Sequence, residues 1–223
     1  MVFPRPIQAV VFDMDGLLID SESLVREGML RAAAQVGIEM PVSLCASMVG
    51  LPMAQSLALI REHYGPDFDL DAYLAAERRQ IEALFAEGVM LKVGVRELLD
   101  HLDLAGLPRA VATSSGRGAV DAHLGHAGIL GRFDAIVSRE DVARHKPNPD
   151  PFLRAAALLQ VDPEACLALE DSHNGVRAAH AAGMMTVMVP DLLDPTEEMH
   201  AKCVHIAESL HEVRALLSAP GRG

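Results

Sequence analysis

Positive charge is what this sequence has least of. Nineteen lysines and arginines stand against 31 aspartates and glutamates in 223 residues, giving a formal net charge of −12. Binding to a phosphate backbone or an anionic membrane relies on basic patches, so nucleic acid and membrane surfaces are excluded as expected partners. A small phosphorylated metabolite is not excluded, because its charge can be met by a few local groups. Long apolar runs are also missing: no stretch approaches the length of a membrane span. Residues 1–8 carry no apolar core of signal-peptide length. Cysteine is scarce. Cys45, Cys166 and Cys203 are odd in number and lack metal-ligand spacing. A cytoplasmic protein with reduced thiols, and a monomer, is the expectation. There are no internal repeats and no low-complexity segments.

What is present is apolar and ordered. Half the residues are hydrophobic, enough for one generous domain or a core with a smaller insert. The most informative stretch is Val10-Val11-Phe12-Asp13-Met14-Asp15-Gly16. An apolar run from Ile7 ends in two carboxylates one residue apart, followed by glycine. This pattern predicts a buried strand opening into a site loop. Residues two apart on a strand project to one side, so Asp13 and Asp15 emerge together. Two close carboxylates repel unless a cation or a shared proton relieves them.

From Val93 onward, strand-like and helix-like segments alternate. Strands are predicted at Arg109–Thr113, Phe133–Val137, Cys166–Leu169 and Met184–Val189. Helices are predicted at Gly118–His126, Pro151–Leu159, around Gly175–Ala182 and at Leu210–Leu217. Such alternation implies a parallel sheet of βαβ units: an α/β, Rossmann-like core with helices on both faces. Residues from Leu17 to Leu91 show only helical patterning, with helices expected at Ser21–Val36, Met53–His63 and Asp71–Ala86. Gly37, Gly50-Leu51-Pro52 and Gly65-Pro66 break them. The expected organisation is a catalytic core of residues 1–16 and 93–223 with a small helical cap, 17–92, inserted after the first strand. Hinges are expected near Leu17–Asp20 and Gly88–Gly94.

Four strand ends carry unusual polar groups: Asp13 and Asp15; Thr113 with Ser114 and Ser115; Lys146 in the loop after the third strand; and Glu170-Asp171 before Ser172-His173-Asn174-Gly175. In a parallel sheet these converge on one rim, where ligands bind. Asp13, Asp15, Glu170 and Asp171 would bind Mg²⁺, which prefers oxygen ligands. Thr113 would donate to a phosphoryl oxygen, and Lys146 would supply positive charge. One aspartate of the first pair could attack phosphorus, and the other could move protons to the leaving group and from water. Ser114, Ser115 and Asn174 are candidate phosphate donors. His145 reads as a surface neighbour of Lys146. Each motif alone also reads as a turn, cap or solvated loop; their conjunction in this order points to phosphoryl transfer.

The set resembles the haloacid dehalogenase superfamily of hydrolases, in the subgroup similar to β-phosphoglucomutase and small sugar-phosphate phosphatases. The resemblance rests on Asp13-Met-Asp15-Gly16-Leu-Leu-Ile-Asp20-Ser21-Glu22, Thr113, Lys146-Pro147 and Leu169-Glu170-Asp171-Ser172. It implies Asp13 as the nucleophile of an aspartyl-phosphate intermediate and Asp15 as general acid and base. It implies Mg²⁺ held by the Asp13 and Asp171 carboxylates and the Asp15 carbonyl, with Glu170 close by. It also implies a mobile cap. Asp15 argues against dehalogenase chemistry. Phosphonate-cleaving relatives need a cap lysine, whereas only Lys92, Lys146 and Lys202 exist here. A phosphosugar mutase is disfavoured by Val25 and Met53, which stand where mutases carry a histidine and an arginine. Substrate choice would fall to the cap, with Glu22, Arg26, Gln55 and Arg61 as candidates; Met48 and Met53 fit either an apolar wall or core packing. The expected activity is Mg²⁺-dependent hydrolysis of a sugar or polyol phosphate. The alternatives are the mutase and a phospho-acceptor signalling module.

Overall fold

The structure, a computed structural model, describes residues 3–48, 51 and 53–218. The Gly50-Leu51-Pro52 breaker therefore lies outside the described residues, apart from Leu51. In chain order the elements are β1 (Ala9–Phe12), α1 (Ser21–Gln35), α2 (Val42–Met48), α3 (Met53–Tyr64), α4 (Leu70–Glu87), α5 (Val95–Ala105), β2 (Arg109–Ala112) and α6 (Arg117–His126). There follow β3 (Ala135–Val137), α7 (Asp150–Leu159), β4 (Cys166–Glu170), α8 (His173–Ala181), β5 (Met185–Met188), α9 (Glu197–Lys202), β6 (His205–Ile206) and α10 (Leu210–Ser218).

The strands form one sheet in the order β3-β2-β1-β4-β5-β6, and every neighbouring pair is parallel. This is the doubly wound α/β order, with β1 at the centre. Strands buried on both faces read as unbroken apolar runs, as β1, Ala-Val-Val-Phe, does. Ala9 and Val11 face one way and pack with Ala110, Ala112, Ala168, Phe152, Ala155 and Ala178 beneath α7 and α8. Val10 and Phe12 face the other way and are equally buried. The edge of the Phe12 ring meets Phe133 at a centroid distance of 5.8 Å. Small alanines on the first face let α7 and α8 lie close to the strands.

The chain divides into two compact units, residues 1–20 with 90–223, and residues 21–89. The second crossing falls inside the expected hinge. At the first, Leu17, Leu18 and Ile19 belong with the sheet. They are buried, Ile19 bridges both Asp15 and Leu91, and the Asp20 amide donates to the Met90 carbonyl at 2.9 Å. An apolar Leu-Leu-Ile run cannot sit in an exposed hinge, so the crossing comes after it.

Among the described residues of unit 21–89 the regular elements are all helices. Its longest helices, α1 and α4, pack against each other, and Gly28 permits the approach: a Cβ there would meet Ile81. Asp69 caps α4 by accepting from the Ala72 amide at 3.0 Å. The core holds Ala32, Met40, Met48, Ile60 and Tyr73. Met48 is thus core packing, whereas Met53 is 70% exposed.

Candidate active site

The strand order reverses direction between β1 and β4, and in doubly wound sheets the crevice beyond the carboxyl ends at that point is where ligands bind. Both strands end there in acid. Val11 faces α7 and α8, and Asp13, two residues on, follows the same side. Its amide donates to the Leu169 carbonyl at 3.0 Å, extending the β1–β4 ladder by one residue. Glu170 closes β4 and is fully buried. The loop leading into α7 brings Lys146 to both. The Lys146 ammonium donates to Asp13 and, at 2.5 Å, to Glu170 Oε1, and lies 5.0 Å above the Phe152 ring. Its side chain is 6% exposed.

The two Glu170 oxygens divide their work. Oε1 takes Lys146. Oε2 accepts from the Asp171 and Ser172 amides at 3.1 and 3.0 Å and from the Ser172 hydroxyl at 3.0 Å. Ser172 Oγ in turn caps α8, accepting from the Gly175 amide at 3.1 Å. Glu170 is therefore satisfied by protein donors, and α8 begins at His173, two residues before the expected start. A Cβ at Gly175 would collide with the Glu170 carboxylate.

Oxygens of Asp13, Glu170 and Asp171 lie within 4.8 Å of one another. Three carboxylates against one ammonium leave a formal excess of two negative charges in a buried place. Burial, and then the neighbouring Glu170 and Asp15 carboxylates, push Asp13 up to about 8 although Lys146 opposes the shift. Burial, with Glu170 and Asp13 beside it, likewise raises Asp171 well above the ordinary carboxylate range. Burial disfavours the charge on Lys146, yet Asp13 and Glu170 together raise its pKa. An all-oxygen cluster carrying two surplus charges fits a hard divalent cation. The coarse statement the residues support is an acidic, cation-compatible centre.

The Asp15 carboxylate is not part of that cluster. It turns towards the end of β2, where Ser115 Oγ donates to Asp15 Oδ2 at 2.7 Å and Thr113 Oγ1 approaches the same oxygen at 3.4 Å. Among the described residues the acidic cluster therefore joins Asp13 with Glu170 and Asp171, and the Asp15 side chain lies outside it. Asp15 lies beyond the regular strand, where two-residue alternation no longer holds, and Gly16 at φ +80° turns the chain immediately after it. Thr113 is buried, and its hydroxyl accepts from the Ser115 amide at 3.0 Å.

The remaining candidates are more dispersed. Ser114 is exposed beside Thr113. Asn174 is exposed on α8, and its Oδ1 accepts from Arg177 at 3.0 Å; it does not join the carboxylates. His145 is exposed, as expected of a surface neighbour. Glu22 and Arg26 lie on α1, and Gln55 and Arg61 on α3, all in unit 21–89. One residue escaped the sequence reading. Asp191, just after β5, takes Lys92 at 2.6 Å on Oδ1, and its Oδ2 lies 3.4 Å from the position a Cβ on Gly16 would occupy. It stands behind Pro190 in a loop without a motif, so the strand-end rule did not mark it.

Comparison with known proteins matches residues 10–189 to the family model of haloacid dehalogenase-like hydrolases. The chain is 36% identical over 193 residues to "probable pseudouridine-5'-phosphatase" of Drosophila melanogaster, covering 84% of this chain and 83% of that one. It is 35% identical to hexitol phosphatase B of Escherichia coli (strain K12), covering 85% and 86%. A crystal structure of a family hydrolase from Deinococcus radiodurans R1, solved with bound phosphate and sodium, superposes with a TM-score of 0.82. Its sequence identity is 28%, and the match covers 96% of each chain.

Proposed function

We propose a function from one premise: the chain belongs to the haloacid dehalogenase-like hydrolase family. It is a cation-dependent phosphomonoesterase acting on a small phosphorylated metabolite, a sugar, polyol or nucleoside phosphate, through an aspartyl-phosphate. The observation that carries this reading is the division of labour at the rim. Asp13 is held by Lys146 at the cationic side of the site, while Asp15, two residues on, is held by Ser115 on the other. In this reading one carboxylate bonds to phosphorus and the other handles protons.

In this reading the Asp13 carboxylate attacks phosphorus and the ester oxygen leaves with a proton from Asp15. Asp15, now a carboxylate, then takes a proton from the water that opens the aspartyl-phosphate, releasing inorganic phosphate and restoring Asp13. Thr113 and Lys146 donate to phosphoryl oxygens, since positioning and charge neutralisation carry most of phosphoryl-transfer catalysis. Glu170 keeps Lys146 aimed at Asp13. The Asp13 and Asp171 carboxylates and the Asp15 carbonyl would hold Mg²⁺, which supplies charge neutralisation at the phosphoryl group. The insert, residues 21–89, serves as the cap, and residues such as Glu22, Arg26, Gln55 and Arg61 are where substrate choice is sought.

The relatives support the substrate class, since two of them are named as a pseudouridine-5'-phosphatase and a hexitol phosphatase. We place the mutase reading second, because Val25 and Met53 stand where the family resemblance puts a mutase's histidine and arginine. The experiment is phosphate release with Mg²⁺ across sugar, polyol, nucleotide and glycolytic phosphates, with Asp13→Asn as the blank. Release above the blank for one or a few compounds supports the reading. No release from folded, metal-supplied protein overturns it and sends the assay to a β-hexose 1-phosphate with a bisphosphate activator.

A further inference from the structure

The loop after β5 carries a feature that the phosphatase reading does not use. Asp191 and Lys92 form an ion pair at 2.6 Å, with side-chain exposures of 13% and 28%. Lys92 is fixed by its backbone, which donates to the Leu18 carbonyl at 3.0 Å, and its neighbour Leu91 pairs with Ile19. The pair engages only Oδ1 of Asp191. Oδ2 is buried and has no hydrogen-bond partner among the described residues.

A carboxylate oxygen is a strong acceptor, and leaving one buried without a donor costs on the order of 1–3 kcal/mol or more. Such an atom calls for an explanation in terms of what meets it. Its surroundings supply one. Gly16 has no side chain, and the position a Cβ would take there overlaps Asp171 Oδ2 and lies 3.4 Å from Asp191 Oδ2. Glycine thus lets the Asp171 carboxylate come against the backbone at residue 16, with the unpartnered Asp191 oxygen close to the same point. Asp171 belongs to the three-carboxylate cluster; Asp191 does not. When both groups are carboxylates neither can donate to the other, and a donor shared by the two would satisfy the Asp191 oxygen. A cation such as Mg²⁺ keeps several of its waters when bound, and a water on a cation is an unusually good donor.

We propose that Asp191 is a positioning residue of the cation site: its Oδ2 accepts from a water of the cation's hydration shell beside Asp171, and Lys92 locks its carboxylate in that orientation. The inference rests on the cation-dependent reading above and deepens it. Outer partners of this kind commonly tune metal affinity 10–100-fold. The arrangement also gives Lys92 and Gly16 definite tasks, one as clamp and one as spacer.

The test is Mn²⁺ binding followed by loss of the free-ion electron paramagnetic resonance signal, since Mn²⁺ shares the oxygen preference of Mg²⁺. The intact chain is compared with Asp191→Asn, Asp194→Asn and Asp171→Asn. Asp194→Asn removes the same charge three residues away at an exposed position, so it corrects for simple loss of negative potential. The expected result is a dissociation constant raised about 10-fold or more in Asp191→Asn, little change in Asp194→Asn, and binding lost in Asp171→Asn. Equal affinity in Asp191→Asn and the intact chain, with only a lowered melting temperature in metal-free protein, overturns the proposal and leaves a structural ion pair. An equal weakening by Asp194→Asn overturns it as well. Failure of the intact chain to bind Mn²⁺ would instead overturn the cation-dependent reading itself. Should Asp191→Asn not fold, Asp191→Ser is titrated in its place under the same criteria.

Discussion

Replacing Lys146 by methionine removes the one ammonium that balances the buried carboxylates while nearly preserving side-chain length. In the intact chain Lys146 contacts Asp13 and Glu170 and rests above Phe152, with all three ionic side chains less than a tenth exposed. Deleting one partner of a buried pair leaves uncompensated charge and costs about 3–5 kcal/mol. For a chain of this size that corresponds to a fall in melting temperature of roughly 6–20 °C. The cost depends on pH. The folded pKa of Asp13 is raised from 3.8 to about 8, so the folded state holds a proton that the unfolded state has released. Stability from this group is therefore greatest in acid and declines as pH rises between those values. Lys146 lowers the Asp13 pKa, so without it Asp13 holds its proton to higher pH still and the decline extends further up the pH scale. Urea unfolding of metal-free Lys146→Met and parent protein at pH 5 and pH 8.5 reads this directly. The deficit is expected to be larger at pH 8.5. A deficit below about 1 kcal/mol at both pH values, the range of a surface ion pair, or one that does not change with pH, refutes the reasoning.

Asp13→Asn should abolish turnover, since an amide does not attack phosphorus, and should make metal-free protein more stable than the parent near pH 9, where the parent's Asp13 is ionised; urea midpoints and phosphate release check both halves. Asp15→Asn should cost on the order of 10²–10⁴ in turnover of a poor leaving group, and Ser115→Ala should cost less, because Ser115 acts only by holding Asp15; rates across leaving groups of differing basicity separate the two. Gly175→Ala should destabilise by about 1–3 kcal/mol, as expected of overpacking, because its Cβ runs into the Glu170 carboxylate. Gly118→Ala, in α6 with open space around it, should be neutral or stabilising by up to about 1 kcal/mol, and the pair of urea midpoints tests whether the crowding at Glu170 is real.

The sheet and the positions of its polar ends were legible because they rest on simple rules. Buried parallel strands are apolar runs, and their ends are where polarity returns. That rule located Asp13, Thr113, Lys146 and Glu170 without any distance. It could not say which way Asp15 turns, because residues past a strand end no longer alternate. Nor could it say that Glu170 would be consumed by Lys146 and the amides of the next turn. The short elements α2, α9 and β6 were not read, since a two-residue strand such as His205–Ile206 has no period to detect. Asp191 was passed over because it sits behind Pro190 in a loop without a motif, and its partner Lys92 lies 99 residues earlier.

The two places where the chain passes into and out of unit 21–89 are bonded to each other, Asp20 to Met90 and Ile19 to Leu91. For the sheet, the whole insert is consequently a loop whose ends are already closed. Loop closure grows only slowly more costly with length, and here the core supplies the closure itself. Lengthening or shortening the insert away from these contacts is therefore expected to leave the register of the strands, and the placement of Asp13 against Lys146, unchanged, which amide hydrogen exchange of the sheet would check. On the proposed function, a change of substrate would fall on one unit and leave the chemistry of the other intact.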